Sequence, residues 1–145
     1  MKLVEWSSDL TSGVGRTGSH YSLAYDPPKG DVPGLWQIAV DNVTVCGVDS
    51  AGEAIVRSEG LEAMRCVLSG ISRGLQPDHL HRAASIAMEM TAAAERVLSA
   101  LPIVDDRRVE ISQSLDALQS LARMINEERS RRQREEDHGP LPLLN

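Results

Sequence analysis

The sequence of 145 residues contains no phenylalanine, only two lysines, two cysteines and four aromatic side chains. The two cysteines, Cys46 and Cys66, are too few for the disulfide framework of a small secreted domain, and no further ligand cluster suggests zinc. Because no run of 18 apolar residues exists, we expect no membrane span. The N-terminal MKLVEWSSDL has no apolar signal-peptide core, so we expect a cytoplasmic protein.

Positive charge is also scarce, since the formal net charge is −6 at pH 7. A groove for long DNA or RNA needs a surplus of lysine and arginine, so long nucleic acid is excluded as the expected partner. A small anionic ligand held by a few arginines remains compatible with this charge. The length allows one ordinary domain or a small domain with an appendage, and excludes a kinase or a TIM barrel.

Residues 1–74 predict a small antiparallel sheet with one packing helix, and all four aromatics lie within the first 36 residues. We expect strands over 2–6 and 20–26, loops over 7–18 and 27–34, and a hairpin that joins strands 35–40 and 43–48. Asp41 and Asn42 tolerate left-handed backbone angles, which suits a two-residue hairpin turn. That turn would place Ile38 opposite Val45, with Val45 on the buried face and Cys46 on the wetter one.

The packing helix is predicted to follow this hairpin. Ser50 and Glu53 have the spacing of a capping box. A narrow apolar stripe at 3–4–3 spacing then indicates the buried face, and Gly74 ends the helix. The stripe consists of Leu61, Met64, Leu68 and Ile71.

Residues 78–134 predict a long antiparallel helical hairpin, which makes the fold class α+β. Asp78 is a good N-cap for the first helix, and Leu101–Pro102 breaks it. The second helix is expected to begin at Asp105–Asp106 and to run to about Arg134. The tail, 135–145, is predicted to be irregular. Heptad-spaced stripes mark the seam between the helices: Leu80, Ala84, Ala87, Thr91, Ala94, Leu98 and Leu101, then Ile111, Leu115, Leu118, Ala122 and Ile125.

The hairpin predicts self-association. Two helices alone cannot bury both sides of their seam, so either the sheet unit or another copy covers the remaining surface. The hairpin extends further than strands of five residues, roughly 17 Å long, can cover, which favours another copy. We therefore expect a homo-oligomer.

The sequence offers no convincing catalytic or metal-binding set. Gly13–Gly18 matches the spacing of a dinucleotide-binding loop, but a strand and not a helix follows it. The same segment resembles a tyrosine phosphatase loop, yet Thr11 stands where the nucleophilic cysteine would be. A flexible connection or a backbone anion site are the remaining interpretations of this loop. His79 and His81 are two residues apart and would not share one helix face. We expect no catalysis, no metal and no cofactor.

Residues 78–126 resemble the helical hairpin of phage anti-CBASS proteins, and a related hairpin occurs in phage inhibitors of Thoeris signalling. The shared features are an early arginine in the first helix (Arg82), Leu101–Pro102 at the turn, an arginine pair after it (Arg107 and Arg108), and a leucine-rich second helix that ends in Ile125–Asn126. The family's second helix usually carries a tryptophan, whereas that region of this chain offers only Leu121.

The resemblance implies a non-catalytic phage counter-defence protein in the host cytoplasm, an oligomer that sequesters a small cyclic nucleotide between hairpins. Arg82, Arg107 and Arg108 would then contact phosphates, because the guanidinium fork pairs with phosphate oxygens and stacks on rings. The alternative is a phage structural, assembly or adaptor protein that acts through protein–protein contacts of the hairpin and of the PLPLL tail.

Overall fold

The computed structural model describes residues 2–71 and 73–138, which form an α+β fold. The chain divides into two compact units, Met1–Ile71 and Ser72–Asn145. Among the described residues, the first unit contains five strands and one helix, and the second contains two helices. The strands are β1 (Val4–Trp6), β2 (Ser12–Gly15), β3 (His20–Asp26), β4 (Leu35–Val40) and β5 (Val43–Val48), and the helices are α1 (Ala51–Leu68), α2 (Pro77–Ala100) and α3 (Arg107–His138).

The sheet is an antiparallel meander in which each strand pairs with the next one along the chain. The tight turn between β4 and β5 is confirmed, since Asp41 and Asn42 have φ angles of 49° and 69°. The buried face of the sheet packs against α1 and forms the core of the first unit. This core combines Val4, Tyr21, Leu23, Ile38, Val40 and Ala54 with partly buried Trp6, Trp36, Cys46, Val48, Ile55 and Leu61.

The predicted loop over residues 7–18 is wrong in part, because β2 lies within it and pairs with both β1 and β3. Gly13 and Gly15 made this strand resemble a loop in the sequence. Close contacts in the structure explain why both positions are glycine. A Cβ atom on Gly13 would lie within 2.8 Å of the side chains of Trp6 and Val4. A Cβ on Gly15 would meet the carboxylate of Glu62.

The predicted pairing of β4 with β5 is also wrong beyond the first two residue pairs. A β-bulge shifts the register between Ile38 and Ala39, so that Ile38 pairs with Cys46 and not with Val45. The bulge turns Val45 outwards, where it is 47% exposed. Cys46 therefore joins the buried face, since an extra residue in one strand inverts the alternation of side chains beyond it.

Helix α1 begins where the capping box predicts, because the Ser50 hydroxyl accepts a hydrogen bond from the Glu53 amide at 3.1 Å. It ends at Leu68, short of the predicted Gly74. The predicted apolar stripe is wrong at its C-terminal end, since Leu68 is 58% and Ile71 41% exposed. The buried positions include instead two acids, Glu59 and Glu62.

Helices α2 and α3 pack against each other as an antiparallel hairpin. The N-cap of α2 is Gln76, with Pro77 at the first helical position, and not Asp78. Helix α3 begins at Arg107, directly after the predicted start at Asp105–Asp106, and the Asp105 carboxylate accepts a hydrogen bond from the Arg107 amide at 2.9 Å. It continues to His138, so residues 135–138 are helical, and the rest of the predicted tail lies outside the described residues.

Burial changes along the hairpin. Near the start of α2 and the middle of α3, the side chains of Leu80, Ala84, Ala87, Leu121 and Ile125 are buried. From residue 88 to residue 120, by contrast, no residue is buried, and the predicted seam positions there are half-buried. The turn-proximal half of the hairpin thus exposes most of its surface in this chain.

Candidate functional site

The three arginines predicted to bind a ligand lie at two separate places in the hairpin. Arg82 is exposed in the second turn of α2, whereas Arg107 and Arg108 lie at the start of α3, beside the end of α2. Eighteen residues separate Arg82 from Ala100, which is about 27 Å along a helix axis. One small cyclic nucleotide cannot bridge that gap within a single chain.

Arg108 caps the end of α2. Its guanidinium donates hydrogen bonds to the carbonyl oxygens of Leu98 at 2.7 Å and of Leu101 at 2.9 Å. The last carbonyls of a helix have no partner within the helix and carry partial negative charge, so a cation there stabilises the helix end. These contacts give Arg108 a structural role in closing the hairpin.

Arg107 pairs with the acid that begins the turn into α3. Its side chain donates to both carboxylate oxygens of Asp105, at 3.0 Å and 2.7 Å. These hydrogen bonds hold the pKa of Asp105 down at about 2 and raise the pKa of Arg107. The guanidinium itself remains exposed, so a ligand that used it would compete with Asp105.

The glycine-rich segment 13–18 binds the carboxylate of Glu62, a residue of α1. Glu62 is fully buried, and its carboxylate accepts hydrogen bonds from the Thr17 amide at 2.5 Å and from the Thr17 hydroxyl at 3.1 Å. The Tyr21 hydroxyl donates to the same carboxylate at 2.8 Å. The turn between β2 and β3 is therefore an anion-binding turn that an internal carboxylate occupies.

A second buried acid on α1 anchors the start of β1. Glu59 accepts hydrogen bonds from the amides of Leu3 at 2.7 Å and Val4 at 3.1 Å. The spacing of Glu59 and Glu62 places both carboxylates on one face of the helix. Sequence reasoning missed this pair. The signal that accompanies it is an unusually glycine-rich strand, which leaves room for a carboxylate.

The buried carboxylate changes the titration of its neighbours. Burial and the nearby Glu62 raise the pKa of the Cys66 thiol to about 11. The same two causes raise the pKa of Tyr21 well above its ordinary value. Both groups therefore stay protonated at neutral pH, and neither is an activated nucleophile.

Two of the clefts on the surface of the described residues could hold a small molecule. One, of about 570 Å³, lies between the first turn of α2 and the C-terminal half of α3. Its lining combines Arg129 and Arg132 with Asp78 and Glu136, so it presents no net charge that would select an anion. The other, of about 450 Å³, lies over β1, β2 and β3. Trp6 lines that cleft, and its buried indole nitrogen has no hydrogen-bond partner in the described part of the chain.

The hairpin also exposes several apolar side chains. A strip on the outer side of α2, which we call the α2 strip, consists of Met90, Ala93, Val97 and Ala100 and contains no charge. Its two large side chains, Met90 and Val97, are 39% and 48% exposed. The hairpin tip beside it exposes three more aliphatic side chains, namely Ile103 at 90%, Val104 at 89% and Val109 at 63%.

Comparisons with protein-family models, curated proteins and solved structures give no match to this chain. Within residues 2–71 and 73–138, no group of three or more histidine, cysteine, aspartate or glutamate side chains is placed to hold a metal ion. No helix in those ranges combines the length and the apolar character that crossing a membrane requires.

Proposed function

We propose that the protein is a non-catalytic interaction protein whose helical hairpin joins it to further copies of itself. The observation that carries this proposal is the unburied stretch from residue 88 to residue 120. This stretch exposes the large apolar side chains of Met88, Met90, Val97, Ile103, Val104 and Val109. Exposed apolar surface on a folded protein favours an interaction site, because water around it is released when a partner covers it.

The chemistry of the surface supports a protein partner and not a small polar ligand. The α2 strip and the hairpin tip together offer five large aliphatic side chains, of which Ile103 and Val104 are almost fully exposed. Heptad spacing continues through both helices in this region, and such spacing suits further helices that pack alongside. The role falls within the assembly or adaptor class, and a phage origin stays a prediction from the resemblance.

Light scattering after size exclusion, over a range of protein concentrations, tests the proposal. The expected result is a species larger than one chain of 15.8 kDa. Val97→Glu places a charge in the α2 strip and should shift the protein to single chains, because burying an unpaired carboxylate is strongly unfavourable. Ser99→Glu adds the same charge at an exposed position outside the strip and should leave the assembly unchanged. A single 15.8 kDa species at every concentration would overturn the proposal.

The sequestering of a cyclic nucleotide stays a prediction. Within one chain its candidate residues are split between two ends of α2, and Arg107 and Arg108 already contact Asp105 and the end of α2. Calorimetry with a panel of cyclic di- and trinucleotides tests it directly. Binding that disappears in Arg82→Ala and in Arg107→Ala would establish it, whereas the absence of heat with every nucleotide would reject it.

A further inference from the structure

We propose that the turn between β2 and β3 is a carboxylate-binding site in its own right. Glu62 fills this site as a tethered ligand, and a free carboxylate as small as formate binds there once the Glu62 side chain is removed. Glu62 and its hydrogen-bond partners all belong to the first unit, so the site is independent of the proposed self-association of the hairpin.

Three donors converge on the carboxylate of Glu62. The Thr17 amide donates to one oxygen at 2.5 Å, and the hydroxyls of Thr17 and Tyr21 donate to the other at 3.1 Å and 2.8 Å. Glu62 is 0% exposed, so solvent does not reach these bonds. Hydrogen bonds to an ionised acceptor are roughly twice as strong as those between neutral groups, and low local dielectric strengthens them further. The donor set therefore matches a planar carboxylate, because each of its two oxygens has a partner.

The turn is held in shape by hydrogen bonds that do not involve Glu62. The Gly15 amide donates to the Ser19 carbonyl at 2.8 Å, and the Gly18 amide donates to the Gly15 carbonyl at 2.9 Å. Gly18 has a φ of 87°, a conformation that residues with a side chain rarely adopt. Thr17 lies between these bonds, so we expect its amide to keep its direction when the carboxylate is absent.

Tyr21, which carries the third donor, is positioned by the core. Tyr21 is 1% exposed and meets Trp6 edge-on, with the ring centroids 6.4 Å apart. Gly15 leaves the space that the carboxylate fills, because a Cβ atom there would overlap it. Removal of the Glu62 side chain therefore leaves a cavity lined by three aimed donors. Buried donors without an acceptor are unfavourable, and an anion that enters a preformed site pays little for ordering it.

The atoms that a substitution removes determine which carboxylate fits. Glu62→Ala removes four non-hydrogen atoms, namely the carboxylate and the methylene that carries it. Formate has three, which leaves room for a van der Waals contact of about 3.5–4.0 Å with the alanine methyl group in place of a covalent bond. Acetate has four and is crowded there, whereas Glu62→Gly removes one further carbon and makes room for it. A ligand as small as formate reaches half-saturation at about 1 mM at best.

Titration of the Glu62→Ala protein with sodium formate tests the proposal, with tryptophan fluorescence during urea unfolding as the readout. Formate should raise the urea midpoint in a saturable way, beyond the effect of sodium chloride at the same ionic strength. If the variant is unfolded without a ligand, formate and not chloride should restore the native fluorescence. The native protein and Glu53→Ala, which changes an exposed acid of the same helix, should respond equally to both salts, because Glu62 fills the site in each.

Two further variants locate the bound formate. Glu62→Ala/Tyr21→Phe lacks one donor and should need at least about tenfold more formate for half-saturation. Formate should bind better than acetate in Glu62→Ala, and acetate should bind at least as well as formate in Glu62→Gly.

Three results would overturn the proposal. The first is an equal response of Glu62→Ala to formate and chloride. The second is a formate response that the loss of the Tyr21 hydroxyl leaves unchanged. The third is the same preference between formate and acetate in Glu62→Ala and Glu62→Gly, since that would place the anion elsewhere.

Discussion

The two units of this chain differ in how far they bury their side chains. Residues 2–71 form a closed core in which even the buried acids, Glu59 and Glu62, are held by amides and hydroxyls of the same unit. The turn-proximal half of the hairpin, residues 88–120, buries no residue. A buried carboxylate without hydrogen-bond partners is strongly unfavourable, whereas exposed apolar surface is tolerated in a folded chain. The difference is the basis for proposing that the hairpin, and not the first unit, is the interacting part.

The positions of the chromophores allow the two units to be followed separately. Both tryptophans, Trp6 and Trp36, belong to the first unit, so fluorescence reports its unfolding. Helices α2 and α3 contain 24 and 32 residues against 18 in α1, so circular dichroism at 222 nm reports mainly the hairpin. Each stability variant below is expected to change either the tryptophan fluorescence transition or the circular dichroism transition, and to leave the other unchanged.

Glu62→Ala is expected to have the largest effect on stability. It leaves the Tyr21 hydroxyl and the amide and hydroxyl of Thr17 without the acceptor they share in a buried site. Each unsatisfied buried donor is unfavourable by 1–3 kcal/mol, so we expect the free energy of unfolding to fall by about 3 kcal/mol. Tryptophan fluorescence during urea unfolding measures it.

Glu62→Gln separates the charge from the shape, since it keeps one acceptor oxygen and should lose about half as much. Glu53→Gln, on the exposed first turn of the same helix, is the control and should change stability by a few tenths of a kcal/mol at most, about the size of a helix-dipole contribution. A Glu62→Ala protein as stable as the native one would refute the view that this acid organises the first unit.

Arg108→Ala should act on the hairpin alone. The guanidinium joins α3 to the carbonyls of Leu98 and Leu101 at the end of α2, and its loss should reduce hairpin stability by about 1–2 kcal/mol. Thermal unfolding followed by circular dichroism measures the shift, with tryptophan fluorescence unchanged. Arg107→Ala is the control, because its contacts with Asp105 are exposed and should give no resolvable change. Equal shifts in both variants would argue against the capping role of Arg108.

The sequence was sufficient to predict the elements whose signals are local. The turn at Asp41–Asn42 follows from residues that accept positive φ, and the seam of the hairpin follows from heptad spacing. The α+β architecture could be predicted from these signals alone.

The features that the sequence did not reveal depend on contacts between distant residues. Gly13 and Gly15 resemble loop residues until Trp6 and Glu62 are seen to occupy the space beside them. No residue pattern in the sequences of β4 or β5 predicts the bulge between Ile38 and Ala39. Glu62 resembles a surface acid of a helix, and only its partners 41 and 45 residues away make it a core residue.

The two cysteines offer a smaller test of how closed the first unit is. Cys46 is half-buried on β5, whereas Cys66 is buried on α1 and has a pKa raised to about 11. Only the thiolate reacts, so at pH 8 the native protein should label at Cys66 about a hundredfold more slowly than an ordinary thiol does. Mass spectrometry after iodoacetamide treatment counts the labels, and Cys46→Ser identifies the site. Rapid labelling of Cys66 in the native protein would mean that the core opens readily.

The smallest expected effect concerns acid and the start of α3. The side chain and amide of Arg107 hold the pKa of Asp105 at about 2, below its ordinary value of 3.8. A depressed pKa means that the folded state prefers the ionised form, so this contribution is complete above about pH 4 and is lost as the pH falls towards 2. Asp105→Asn should therefore lower the hairpin melting temperature slightly at pH 7, and the difference from the native protein should have shrunk markedly at about pH 2 and vanish below it. Asp106→Asn removes the same charge one residue later and controls for charge alone. A difference that persists unchanged at pH 2 would show that Asp105 acts through the hydrogen-bonding shape of its side chain, independently of ionisation.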